Sequence, residues 1–228
     1  MQYKAIFFDR DGTLTYFTKE KEAWRDRQIC EWSGKPFDLS YEKMMKLFHL
    51  ASEGEKPWYK NLEDEREFFK RYYSYLLIEE GVTEDVKERA ELLFNELWCN
   101  GDRVLFPETI EVLEYFYSKG YKMGVISDTS PSLEFFLQQL GIAKYFTSFT
   151  ASSLVGAGKP NPIIFKAALD AQGVTAEESI YVDDYKIEAD GAREQGFTSF
   201  LIDRTGNDND AWTISDLRQL IEFVEIDN

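Results

Sequence analysis

A chain of 228 residues, 43% hydrophobic and 30% charged, is long enough to bury a core and too polar to be a membrane protein. Its formal net charge of -16, with no Lys/Arg stripe to offset it, excludes a nucleic-acid partner. Two cysteines, Cys30 and Cys99, are too few for a disulfide scaffold and lack metal-type spacing.

The first element is "YKAIFF" (Tyr3 to Phe8), a short apolar run that reads as a strand buried on both faces. It is too short for a signal peptide, and no apolar stretch approaches the roughly 20 residues of a membrane span, so a cytoplasmic location is expected. The run ends in Asp9, Arg10, Asp11, Gly12 and Thr13.

From about Tyr16 to about Leu105 the pattern turns helical. Candidate helices lie in "KEAWRDRQICEWSG", "SYEKMMKLFHLASEG", "NLEDEREFFKRYYSYLLIEEG" and "TEDVKERAELLFNELWCNG". In the third, Leu62, Glu65, Phe69, Tyr72/Tyr73 and Leu76 form the expected buried stripe. The remainder alternates strands and helices. Strands are expected at "KMGVIS" (Lys122 to Ser127), "YFTSFT" (Tyr145 to Thr150), "SIYVDD" (Ser179 to Asp184) and "TSFLI" (Thr198 to Ile202). Ser130 before Pro131 and Asn161 before Pro162 mark helix starts, and Gly120, Gly141, Gly173 and Gly196 mark stops. A last helix is expected through Ile214, Leu217, Leu220/Ile221 and Val224. The expectation is an α/β fold: a doubly wound, Rossmann-like parallel-sheet core over 1–15 and 106–228, with an α-helical bundle inserted at 16–105.

In such a sheet, ligands bind beyond the carboxyl ends of the strands. There the chain places Asp9 and Asp11, Ser127 and Asp128, and Asp183 and Asp184, with Lys159 ahead of the Asn161/Pro162 helix start. Several carboxylates together call for a cation, and oxygen ligands with an open position suit Mg²⁺. Phosphoryl transfer fits: Asp9 as nucleophile, Asp11 as proton donor and acceptor, Gly12 allowing a tight turn with N–H groups for phosphate, Ser127 as a hydroxyl donor, and Lys159 bridging phosphate and Asp9.

The runs "FFDRDGTLT", "VISDTS", "GKPNPIIF" and "YVDDYKIEADGA" resemble, in order, the four motifs of the haloacid dehalogenase-like (HAD) hydrolases, and the helical insert resembles the family's C1-type cap. The resemblance implies a Mg²⁺-dependent phosphatase of small metabolites working through an aspartyl-phosphate. It makes Asp9 and Asp11 catalytic and gives phosphate binding to Gly12, Thr13, Ser127, Asp128 and Lys159. The metal goes to Asp9, Asp11, Asp184 and Asp183; which of Asp183 and Asp184 touches it directly stays open, with Asp184 favoured, and Glu188 is expected behind them. Asp183 stands where a glycine is commoner, Asp128 where Asn is, and Arg10 where the slot is usually apolar; Arg10 reads as structural or cap-facing. The alternatives are a 2-haloacid dehalogenase, against which Asp11 argues, a sugar phosphomutase, and a non-catalytic binding protein. The partner is a small phosphate ester; monomer and homodimer both remain open.

Overall fold

The computed structural model describes residues 3–54, 59–98, 101–208 and 210–226; Cys99 lies outside them. In chain order the elements are β1 (Ala5–Phe8), β2 (Thr15–Phe17), α1 (Glu20–Ser33), α2 (Tyr41–Ala51), α3 (Leu62–Glu79), α4 (Val86–Leu97), β3 (Arg103–Leu105), α5 (Thr109–Ser118) and β4 (Lys122–Ser127). They continue with α6 (Leu133–Gln139), β5 (Ser148–Ala151), α7 (Ser152–Val155), α8 (Pro162–Gln172), β6 (Ser179–Asp183), α9 (Lys186–Glu194), β7 (Thr198–Ile202), β8 (Thr213–Ile214) and α10 (Arg218–Ile226). The chain divides into two compact units, Met1–Tyr16 with Val104–Asn228, and Phe17–Arg103.

The first unit is built on a six-stranded sheet in the order β5-β4-β1-β6-β7-β8, with every adjacent pair parallel. All four residues of β1 are fully buried, as a central parallel strand covered on both faces requires. Its flank is aromatic. Phe7 meets Phe197 edge-on at 6.0 Å between ring centres, and Phe165 meets Tyr181 at 5.5 Å. Each such buried side chain contributes about 1.5–3 kcal/mol. From β1 the strand order moves outward one way through β4 and β5, then reverses to β6 and β7 on the other side. That reversal at β1 and β6 is the switch point at which doubly wound sheets open a crevice.

The helical unit is assembled from capped amphipathic pieces. Ser40 caps α2 by accepting from the Lys43 N–H at 3.2 Å, and Asn61 caps α3 by accepting from the Asp64 N–H at 2.9 Å. Helix α3 buries Phe68, Tyr72, Tyr73, Leu76 and Leu77, while Phe69 is only half-buried. The Phe48 ring lies 5.3 Å from Phe68 and 5.1 Å from Tyr72. Asp102 accepts from the N–H groups of Lys21 at 2.5 Å and Glu22 at 2.8 Å, so a residue 80 positions away caps α1.

Four local expectations give way. Strands β2 and β3 lie at the margins of the stretch read as helical; they pair with each other and are too short to show a period. Helix α6 begins at Leu133, not at Pro131, and Ser130 Oγ lies 3.0 Å from Ser132 Oγ. Tyr145 closes a 3-10 turn, in which the Phe146 N–H donates to the Ala143 carbonyl at 3.1 Å, and β5 starts only at Ser148. Ile214 belongs to β8 opposite Ile202, because the free edge of β7 captures it before α10 begins.

Candidate active site

Strand β1 ends at Phe8, so Asp9 is the first residue past the strand. Parallel register sets Phe8 opposite Val125 of β4 and Val182 of β6. Asp9 and Asp183 are thereby level, and Ser127 stands two residues beyond Val125; all three are buried. The chain then turns tightly. The Gly12 N–H donates to the Thr15 carbonyl at 2.7 Å, and the Leu14 and Thr15 N–H groups both donate to the Arg10 carbonyl at 2.9 Å. Gly12 has φ +83°, and a Cβ there would fall 2.0 Å from Asp184 Oδ2. Only glycine lets the Asp184 carboxylate lie against this turn.

Lys159 brings three carboxylates to one point. Its Nζ lies 2.7 Å from Asp9 Oδ1, 2.8 Å from Asp183 Oδ2 and 2.6 Å from Glu188 Oε2, with the lysine side chain 2% exposed. Burial pushes the ammonium pKa down, but Asp9, Asp183 and Glu188 outweigh it and hold it above the ordinary lysine value. For Asp9 burial is the larger influence and raises the carboxyl, against the pull of Lys159 and with added repulsion from Asp183. Oxygens of Asp9, Asp183 and Glu188 lie within 4.8 Å of one another, a spacing that could hold a metal. Lys159 already bonds to all three, so a further cation needs other oxygens.

Asp183 is fully engaged. Lys159 and the Tyr181 hydroxyl both donate to its Oδ2, and the Tyr185 N–H donates to its Oδ1 at 2.8 Å. Asp184 differs: it is exposed, and its carboxyl is pushed up to about 6 by partial desolvation, then by the charges of Asp183 and Asp11. Carboxylate oxygens such as those of Asp9 and Asp184 are the donors a hard divalent cation takes.

Asp11 is held from two sides. Arg10 donates Nε to Oδ1 at 3.1 Å and Nη2 to Oδ2 at 2.8 Å, while Thr15 Oγ1 donates to Oδ1 at 3.0 Å. The Arg10 side chain is 7% exposed, and its guanidinium lies 5.4 Å from the centre of the Phe136 ring. The Arg10 guanidinium is thus turned to the Asp11 carboxylate.

The loop around Lys159 has its own supports. The Lys159 N–H donates to both oxygens of Asp128 at 3.0 and 3.2 Å, so that carboxylate is turned to the lysine backbone. Asn161 caps α8 by accepting from the Ile163 N–H at 3.0 Å, with Pro162 opening the helix. A Cβ on Gly191 of α9 would fall 2.4 Å from Pro160 Cβ, so the missing side chain lets α9 close on the residue after Lys159. Thr13 is completely buried, and its Oγ1 has no partner among the described residues.

Three contributors have no role in the motif reading. Tyr181 lies two residues before Asp183 on the same strand face, a period-2 signal that was there to read. Arg204 and Glu108 pair at 2.6 Å across 96 residues and carry no local signal.

A family model described as haloacid dehalogenase-like hydrolase matches residues 3–196. The chain belongs to the haloacid dehalogenase-like hydrolases. As a hydrolase of this family it is 26% identical to the glyceraldehyde 3-phosphate phosphatase of Methanocaldococcus jannaschii, over 97% of each chain. The crystal structure of a HAD phosphatase from Thermococcus onnurineus matches with a TM-score of 0.64 at 23% identity, covering 97% of each chain. That of a 2-haloacid dehalogenase from Pseudomonas syringae pv. Tomato DC3000 matches with a TM-score of 0.71 at 23% identity, covering 99% of this chain and 100% of the other. Both structural likenesses show the α/β fold of HAD hydrolases. No helix among the described residues is long and apolar enough to cross a membrane.

Proposed function

We propose that the chain is a Mg²⁺-dependent phosphatase that hydrolyses a small phosphorylated metabolite through a phosphoryl group carried on Asp9. The observation that carries this reading is the meeting of Asp9 with Lys159 at the end of β1, beside a turn that Asp184 covers. The phosphatase name of the M. jannaschii relative supports it, and glyceraldehyde 3-phosphate is the first ester to try.

In this reading an Asp9 oxygen attacks phosphorus and the bond to the leaving oxygen breaks. Asp11 supplies the proton that the leaving oxygen needs. It then takes a proton from a water that attacks the same phosphorus, the Asp9–phosphorus bond breaks, and inorganic phosphate departs. Lys159 and Ser127 hold phosphoryl oxygens, with the N–H groups of Thr13 and Asp128; the Gly12 N–H, expected to share this role, donates to the Thr15 carbonyl instead. Asp9, Asp184 and the Asp11 carbonyl are assigned to Mg²⁺, which when bound offsets phosphate charge and favours the ionised form of Asp9. Asp183 and Glu188 orient Lys159. Substrate choice is assigned to the helical unit, residues 16–105.

Hydrolysis of p-nitrophenyl phosphate and glyceraldehyde 3-phosphate with Mg²⁺ and with EDTA tests the proposal. Turnover that disappears in EDTA and in Asp9→Asn is expected. An active Asp9→Asn variant, or chloride release from 2-chloropropionate without phosphate release from any ester, would overturn it.

A further inference from the structure

Three consecutive carbonyls of the turn after β1 are anchored. The Gly12 carbonyl accepts from Arg204 Nε at 3.2 Å and the Thr13 carbonyl from Arg204 Nη2 at 2.9 Å. The Leu14 carbonyl accepts from the Phe106 N–H at 3.1 Å and from Thr109 Oγ1 at 2.9 Å. Arg204 is fixed in turn. Its Nη1 pairs with Glu108 at 2.6 Å, where the Glu108 side chain is 3% exposed, and its guanidinium lies 3.4 Å from the centre of the Phe106 ring. The arginine comes from the loop after β7, 192 residues beyond Gly12, in the stretch "DRTGNDNDAW" that reads as a polar connector.

The consequence follows from peptide geometry. In a planar trans peptide the C=O and N–H point in opposite directions. Holding the Gly12 carbonyl on Arg204 therefore turns the Thr13 N–H the other way. The N–H groups of Gly12, Leu14 and Thr15 are already used within the turn. The Thr13 N–H has no acceptor among the described residues, and neither does the Thr13 hydroxyl, although Thr13 is completely buried. Buried donors left without an acceptor are costly, and they persist where a ligand oxygen completes them.

We propose that Arg204 is a positioning residue: by clamping the Gly12 and Thr13 carbonyls it holds the Thr13 N–H and hydroxyl as a preformed seat for a phosphoryl oxygen. The inference rests on the phosphatase reading and adds to it a residue outside the four motifs. Guanidinium chemistry suits the task. One planar fork spans two carbonyls and a carboxylate while its face stacks on a ring, which an ammonium cannot do.

The test uses the full chain as wild type, Arg204→Met, Arg204→Lys and Glu108→Gln, with orthovanadate as the phosphoryl mimic. Arg204→Met should lower kcat about 10²–10³-fold, the size of effect seen when one preorganised donor is lost, and weaken orthovanadate inhibition at least about tenfold. Arg204→Lys and Glu108→Gln should fall between it and wild type. Orthovanadate should slow exchange of the Thr13 amide in the wild type and fail to do so in Arg204→Met. Folded Arg204 variants that lose urea stability but keep kcat and orthovanadate affinity within twofold overturn the inference and leave the phosphatase reading standing. A wild type that neither hydrolyses phosphate esters nor binds orthovanadate overturns both.

Discussion

Lys159 Nζ meets Asp9 Oδ1 at 2.7 Å across 150 residues of chain, and the same ammonium holds Asp183 and Glu188. One positive charge thus serves three carboxylates in a site nearly closed to water. Replacing it with Met leaves them uncompensated. Lys159→Met should lose about 3–5 kcal/mol of stability at pH 7, the range for breaking a buried ion pair, measured by urea unfolding. Burial already raises the Asp9 and Glu188 carboxyls and Lys159 pulls them back; without the lysine they rise further, so acid favours the folded form more in the variant than in the wild type. The deficit should therefore shrink as the pH falls towards 5. An equal deficit at pH 5 and pH 8 would count against this account.

Asp11 is gripped by the Arg10 fork and by Thr15. If it carries the proton, Asp11→Asn should lower kcat by about 10²–10⁴-fold, the span for a lost general acid–base. Arg10→Met removes only the grip and should give a smaller loss, on the order of tenfold, with KM within about twofold. Steady-state kinetics on one ester decide this; a loss at Arg10 that matches or exceeds the loss at Asp11 would contradict it.

Gly12 carries two constraints at once, a positive φ and the Asp184 carboxylate in the place of a side chain. Gly12→Ala should cost about 1–2 kcal/mol from the left-handed backbone alone. The new methyl must also displace Asp184. Magnesium affinity should fall more in Gly12→Ala than in a glycine-to-alanine control at Gly206, which has positive φ but open space around it. Isothermal titration with MgCl₂ on both variants makes the comparison.

Asp184 is pushed up to about 6, so below that pH it is mostly protonated and must release a proton before it can ligate. Magnesium affinity should weaken as the pH falls through 6, and binding at pH 5.5 should release protons that are absent at pH 8. Calorimetry in two buffers of different ionisation enthalpy reads the proton count directly. A dissociation constant unchanged between pH 5 and pH 8 would exclude Asp184 as a ligand.

The sheet was legible because its strands are short, apolar and punctuated. "KMGVIS", "SIYVDD" and "TSFLI" become β4, β6 and β7 with small boundary shifts, and Asn161, Pro162 and Gly173 bracket α8. Asp9, Ser127 and Asp183 could be set at strand ends because the motifs around them are local. What escaped is long-range. Nothing near Arg204 says that it reaches Gly12, and nothing near Glu108 says that it anchors Arg204. The two-residue β8 exists only because β7 offers it an edge. Arg10 stood out as a departure, but its hold on Asp11 depends on a turn whose shape is fixed by Gly12 and Thr15.

Asp102 binds more than a helix end. Its carbonyl accepts from the Thr18 N–H at 2.5 Å, its carboxylate accepts from the Thr18 hydroxyl at 3.2 Å, and on the other side of the junction the Phe106 N–H meets the Leu14 carbonyl. The entry and exit of the helical segment are therefore tied to each other, once through Thr18 and Asp102 and once through Leu14 and Phe106. Such a segment can be exchanged as a cassette. A graft from a relative that keeps Thr18, Asp102 and the flanking strands should preserve both of these ties and leave Asp9, Lys159 and Asp183 in an unaltered stretch of chain.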